Sequence, residues 1–141
     1  MDDFIDLYQE TIIAHSRNPR NYGPLEDANR SAVGYNASCG DDIRVHLKII
    51  DGKIIAAHFT GEGCAISKAS ASIMIGAVEG TNVLQAKDLA QKIIASLSKS
   101  DVSIDQEDLG ICAPLLGVRR FPMRVKCATL AWHALEEAVT F

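Results

Sequence analysis

An α+β fold is predicted for this chain, with a three-stranded antiparallel sheet packed against several helices. Three observations carry that prediction. Ile43, Val45, Leu47 and Ile49 alternate with Arg44, His46 and Lys48, the two-residue period of a half-buried strand. Asp51-Gly52 follows and reads as a hairpin turn, because a type I′ turn needs positive φ at both central residues. On either side of this region, apolar residues recur at three- and four-residue intervals, as one face of a helix requires.

In chain order, Phe4, Ile5, Tyr8, Ile12 and Ile13 give Asp2 to His15 the pattern of an amphipathic helix, which Asn18-Pro19 ends. Arg17 to Ala28 is a polar loop containing Pro19, Gly23 and Pro24. Ser31 to Ala37 is expected to form a short strand with Val33 and Tyr35 on one face. A return strand from Lys53 to about Thr60 completes a meander. Helical character then runs from Ala65 to Val78, closed by Glu79-Gly80, and again from Val83 to Leu97. Ser98 to Gly110 is polar and acidic, a loop or loose turn. Phe121-Pro122 opens the last helix, which runs to about Val139, with proline where its missing N–H is no loss. With no internal repeat, low-complexity tract or linker, residues 1–141 read as one domain.

Composition narrows the function. The formal charge of −4 argues against general nucleic-acid binding, which needs clustered Lys and Arg. No apolar run approaches the ~20 residues of a membrane span. The acidic start, Met1-Asp2-Asp3-Phe4, is unlike a signal peptide, so the expected compartment is the cytoplasm. There, four cysteines read as buried fillers, metal ligands or reactive thiols rather than as a disulfide framework.

The cysteine contexts differ. Cys39-Gly40-Asp41 falls in a tight connection between strands, where Gly40 lets a thiolate and a carboxylate face a common centre. A turn holding a buried cysteine and a surface aspartate would read the same. In Gly61-Glu62-Gly63-Cys64, a strand ends and Cys64 opens a helix, where unpaired N–H groups and the positive dipole end favour a thiolate. A small buried filler is the competing reading. Cys127 follows Arg124 and Lys126, cations that would lower a thiol pKa; alone, it reads equally as core or ligand. Cys112, in Ile111-Cys112-Ala113-Pro114, reads as a buried structural thiol. Ser67, Ser70 and Ser72 suit helix packing or solvent contact. Phe121 and Trp132 suit the core, and His15, His46, His58 and His133 are weak candidates.

Together, these segments resemble a known family. Asn36-Ala37-Ser38-Cys39-Gly40-Asp41, Gly61-Glu62-Gly63-Cys64-Ala65-Ile66-Ser67-Lys68-Ala69-Ser70 and Arg124-Val125-Lys126-Cys127-Ala128-Thr129-Leu130-Ala131-Trp132 are similar to the IscU/NifU scaffolds of iron–sulfur cluster assembly. Asn18-Pro19-Arg20-Asn21-Tyr22-Gly23 matches too. Isc-type members carry a histidine where this chain has Lys126, and lack the extra stretch around Ser98 to Arg119. Their Leu-Pro-Pro-Val-Lys motif is absent before Cys127. These departures resemble the SufU branch, which is associated with zinc and with accepting sulfur.

The resemblance implies that Cys39, Asp41, Cys64 and Cys127 form one tetrahedral site. Three thiolates and a carboxylate suit Zn²⁺, and the same set suits iron or a transient iron–sulfur cluster. Cys39, on a loop beside a glycine, is the expected sulfur acceptor, with Arg124 and Lys126 steadying the anionic site. The implied partners are a SufS-like cysteine desulfurase, and apo iron–sulfur proteins or other assembly factors. Asn18 to Gly23 and the first helix are the expected docking face, with no independent turnover. A cluster scaffold, or a purely structural zinc-binding module, are the alternative functions. A stand-alone thiol enzyme is disfavoured because no C-x-x-C pair is present.

Overall fold

The sheet forms where the alternation places it. In the computed structural model, residues 3–37, 40–98 and 109–140 are described, with side chains from residue 10 onward. Strands β1 (Arg30–Asn36), β2 (Asp41–Ile50) and β3 (Lys53–Glu62) pair antiparallel in the order β1-β2-β3. Ile43, Val45 and Leu47 of β2 are buried, while Asp42 before them and Arg44 between them are exposed. Asp51 and Gly52 both take positive φ, 51° and 75°, as the hairpin requires. A register shift between Lys48 and Ile49 offsets the partner strand, so Ile54 and Ala57 are both buried although three residues apart.

Among the described residues, four α-helices surround one face: α1 (Asp3–Arg17), α2 (Ala65–Val78), α3 (Val83–Ser98) and α4 (Pro122–Ala138). Helices α2 and α4 pack on the sheet and on each other, α1 lies against α2, and α3 lies against α4. The most central helix, α2, is buried almost all round, its buried residues small from Ser67 to Ser72 and larger from Ile73 to Ile75. Ser67, Ser70 and Ser72 are all fully buried, so none of them serves solvent contact. Ser70 Oγ donates to the Ala128 carbonyl at 2.5 Å and accepts from the indole N–H of Trp132 at 3.0 Å, clamping α2 to α4. Trp132 thereby buries its ring with its polar atom satisfied. Ser72 Oγ lies 2.6 Å from His15 Nδ1 and accepts from the Arg20 N–H at 2.7 Å, which ties α1 and the following loop to α2.

Between α3 and α4, Gly110–Arg120 winds as a 3₁₀ helix that touches all four α-helices. The sequence left this segment unassigned, because Pro114 and two glycines mask any period. It buries Cys112, Leu115, Leu116 and Val118. The loop expected over Ser98 to Gly110 lies mostly outside the described residues, as do the side chains of Phe4, Ile5 and Tyr8. One expectation is overturned. Phe121 is not core but 48% exposed, because it stands just before α4, where the chain leaves the 3₁₀ segment. Val33 and Tyr35 do share a face, the solvent side of β1. Among the described residues, no helix is long and apolar enough to cross a membrane.

Two expectations about stability follow. A Cβ at Gly34 would lie 2.6 Å from the Leu130 carbonyl oxygen of α4, so Gly34→Ala must push β1 off that helix. We expect a loss of about 1–3 kcal/mol, visible as a melting temperature several degrees lower with native circular dichroism retained. His15 and His46 both have pKa values lowered from 6.5, chiefly by burial, with Arg20 beside His15 and Arg44 and His58 beside His46. Their contribution is complete above the unfolded value and lost as pH falls through the lower folded values. The protein should therefore lose stability as pH drops below the ordinary histidine range. A His15→Gln/His46→Gln variant should show a flatter profile over that window in thermal melts.

Candidate metal centre

The site lies where β2 begins, α2 begins and α4 completes its first turns. Gly40, at φ 73°, closes a turn by donating its N–H to the Asn36 carbonyl at 2.8 Å, and β2 starts at the next residue. Asp41 therefore sits at the strand end with its side chain inward, only 2% exposed. Glycines shape the opposite wall. A Cβ at Gly61 would lie 1.9 Å from the Asp42 carbonyl oxygen, so only glycine lets β3 run this close to β2. At Gly63 a Cβ would meet Ser67 Cβ at 3.0 Å and Asp41 Oδ1 at 3.4 Å.

Cys64 is the N-cap residue of α2, with extended backbone at φ −70° and ψ 173°. Its side chain makes no capping bond. Asp41 supplies that function from across the turn: Oδ1 accepts the Cys64 N–H at 3.1 Å and Oδ2 accepts the Ser67 hydroxyl at 2.5 Å. A carboxylate at the positive end of a helix is favourably placed. The Cys64 thiol points into the same space, with Sγ 3.8 Å from Asp41 Oδ2 and 3.6 Å from Ser67 Oγ. Cys127, fully buried on α4, brings its sulfur in from the other side. One ligand atom from each of Asp41, Cys64 and Cys127 lies within 4.8 Å of the other two. Cys39, two positions before Asp41, lies outside the described residues.

A surface depression of about 370 Å³ leads to this cluster, lined by Cys64, Ala65, Ile66, Phe121 and Arg124. Cys64 is half-buried, whereas Asp41 and Cys127 are enclosed, so among the described residues Cys64 connects the cluster to the surface. Arg124 is exposed at the rim of that depression. Lys126, also exposed, lines different depressions, one with Leu97 and Arg119 and one with Tyr35 and His133. No disulfide links Cys64, Cys112 and Cys127. Cys112 lies apart from the cluster, and burial pushes its thiol up to about 12, keeping it protonated and inert.

The histidines also lie elsewhere. His46 pairs directly with His58 across β2 and β3, and its Nε2 lies 2.8 Å from Thr60 Oγ1. His133 is exposed on α4. Ser67 is the site residue that sequence reasoning missed. Its spacing from Cys64, three residues along one helix, places both on a common face and was the available signal. The acceptor, Asp41, comes from another element and was not visible in that spacing.

The chain is similar to known proteins over most of its length. Residues 7–140 match the NifU-like N terminal domain. The zinc-dependent sulfurtransferase SufU of Bacillus subtilis (strain 168) is 44% identical over 134 residues, covering 94% of this chain and 89% of that protein. The iron–sulfur cluster assembly scaffold protein IscU of Streptococcus pyogenes serotype M1 is 38% identical, covering 94% of this chain and 82% of its own. A crystal structure from Fervidobacterium islandicum AW-1, provisionally assigned as an iron–sulfur cluster assembly scaffold of the SUF system, superposes with a TM-score of 0.86 at 32% identity. It covers 93% of this chain and 95% of its own. By the extent of these matches and the order of its cysteine segments, the chain belongs to the family of the NifU-like N-terminal domain.

Proposed function

We propose that the chain serves iron–sulfur cluster assembly by binding zinc on Cys39, Asp41, Cys64 and Cys127 and accepting persulfide sulfur from a cysteine desulfurase. The convergence of Asp41, Cys64 and Cys127, with ligand atoms within 4.8 Å of one another, carries this reading. The donor set fits the metal. Two thiols and a carboxylate converge at separations that a tetrahedral ion can span, given Zn–S near ~2.3 Å and Zn–O near ~2.0–2.2 Å. Cys39, two positions before Asp41 in sequence, would supply the fourth donor. The zinc dependence of the SufU relative supports zinc over iron.

When bound, zinc holds coordinating thiols deprotonated and protected. The remaining chemistry belongs to the chain. The Cys39 thiolate attacks the outer sulfur of the desulfurase persulfide, that S–S bond breaks, and the desulfurase cysteine leaves as a thiolate while Cys39 carries the persulfide. Arg124, exposed beside Cys64, is placed to attract the anionic persulfide, and Lys126 adds positive charge to the same helix. The reducing cytoplasm is the setting in which these thiols persist. A scaffold role, in which the same residues hold a transient iron–sulfur cluster for apo-protein recipients, is the second reading. It draws on the IscU relatives. The partial exposure of Cys64 also makes it the competing acceptor.

Metal analysis tests the site. Wild-type protein should carry about one zinc per chain; Cys64→Ser and Cys127→Ser should lose it and melt at lower temperature, since metal binding couples to folding. Cys112→Ser should keep the metal. Full occupancy in both Cys64→Ser and Cys127→Ser would end the site assignment.

An alanine-release assay with the cognate desulfurase tests the function. Zinc-loaded protein should raise cysteine turnover and acquire a persulfide that mass spectrometry finds on Cys39. Stimulation that survives Cys39→Ser, with sulfur on Cys64, would transfer the acceptor role. No stimulation by the zinc-loaded protein would favour the scaffold.

A further inference from the structure

Ser67 holds its hydroxyl among the converging donors. It is fully buried in the first turn of α2 and donates to Asp41 Oδ2 at 2.5 Å, while its oxygen lies 3.6 Å from Cys64 Sγ. It thus touches two of the converging donors without being a metal ligand in the expected set. The carboxylate has few other restraints. Oδ1 accepts the Cys64 N–H at 3.1 Å, which fixes one oxygen but leaves rotation about that bond. The Ser67 bond removes that freedom and presents Oδ2 beside Cys64 Sγ, 3.8 Å away. Gly63 leaves no side chain to wedge the carboxylate from its third side, so the hydroxyl does by hydrogen bonding what packing does not.

We infer that Ser67 is the positioning residue for Asp41: its hydroxyl fixes the carboxylate in the orientation that binds the metal and so sets how fast the metal exchanges. This rests on the metal site proposed above. A carboxylate oxygen that accepts a hydrogen bond keeps another lone pair for a cation, so the two contacts are compatible. Groups that orient a ligand in this way change metal affinity by about 10–100-fold when removed. Cys64 and Cys127 need no such help, because the α2 and α4 backbones hold them.

The test compares wild type, Ser67→Ala, Asp41→Ala and the double variant, each loaded with zinc and challenged with a chromogenic chelator. Ser67→Ala should release zinc about 10–100-fold faster than wild type. In the Asp41→Ala background the same change should add nothing, because a hydroxyl that acts only through Asp41 has lost its target. Cobalt(II) loaded in place of zinc should show altered visible bands in Ser67→Ala, a readout that general loosening of α2 would not produce alone. If Ser67→Ala proves too unstable to load, the double variant, which leaves no buried carboxylate short of its hydroxyl donor, should recover the fold. Wild-type exchange in Ser67→Ala, or an equal acceleration in both backgrounds, overturns the inference. Loss of metal in Cys64→Ser and Cys127→Ser alongside that result would overturn it alone; retention of metal in those variants would overturn the underlying site instead.

Discussion

The arrangement depends on one buried carboxylate. Asp41 is 2% exposed, and burying an ionised group is costly unless it is paired or hydrogen-bonded. The chain meets that requirement with the Cys64 N–H, the Ser67 hydroxyl and the positive end of α2. Each bond to a charged acceptor contributes roughly 1.5–3 kcal/mol, so the start of β2 and the start of α2 are fastened at one point. The glycines around it then follow as consequences. Gly61 permits the close approach of β3 to β2, and Gly63 leaves room between Ser67 and the carboxylate. Both could be replaced only if the strand and helix ends moved apart, which would strand the carboxylate.

A second fastening sets the distance between the helices that carry sulfur. Ser70 Oγ bridges the Ala128 carbonyl and the Trp132 indole, one residue and five residues beyond Cys127 on α4. Ser70 lies three residues beyond Ser67 on α2, so both serines face inward along neighbouring turns. The sulfur of Cys127 is therefore held relative to Cys64 by a buried hydrogen-bonded contact rather than by loop geometry. Sites borne on rigid elements hold their donors more closely than sites borne on loops. Here the helices fix the thiols, and hydrogen bonds fix the oxygen.

What could be read from the sequence follows the range of the interactions involved. The meander was legible because alternation and a hairpin dipeptide are local signals: β2 spans Asp41–Ile50 around the alternating residues, and Asp51 and Gly52 take the positive φ expected of them. The ends of α2 were legible because Gly63 and Glu79-Gly80 bracket a helix-forming run. The 3₁₀ segment was not, since Gly110, Pro114 and Gly117 interrupt any helical period and its order comes from contacts with four helices. Phe121 misled for a related reason. Its size suggests burial, but its position before Pro122 places it at a helix start, beside the depression that leads to Cys64. All four expected donors carried their meaning in family-like local contexts, and the structure brings the three described ones, Asp41, Cys64 and Cys127, together. Ser67 carried its meaning only through a residue 26 positions away.

That division bears on how such a site can both hold and release its cargo. Soft thiolates bind zinc and iron–sulfur clusters well, and a carboxylate is the harder and more replaceable donor. A closed four-cysteine site would favour retention, as structural zinc sites do. In the proposed site the replaceable donor is also the one held by a side-chain hydroxyl on one oxygen and by a backbone N–H on the other. On that proposal, release begins by breaking the Ser67 bond and turning the carboxylate about its remaining bond to the Cys64 N–H, without unfolding α2 or α4. The exposed rim formed by Phe121 and Arg124 lies beside Cys64. Lability is thus concentrated where strand, helix and surface meet, while the fully buried Trp132 and Leu135 on α4 keep the frame behind it rigid.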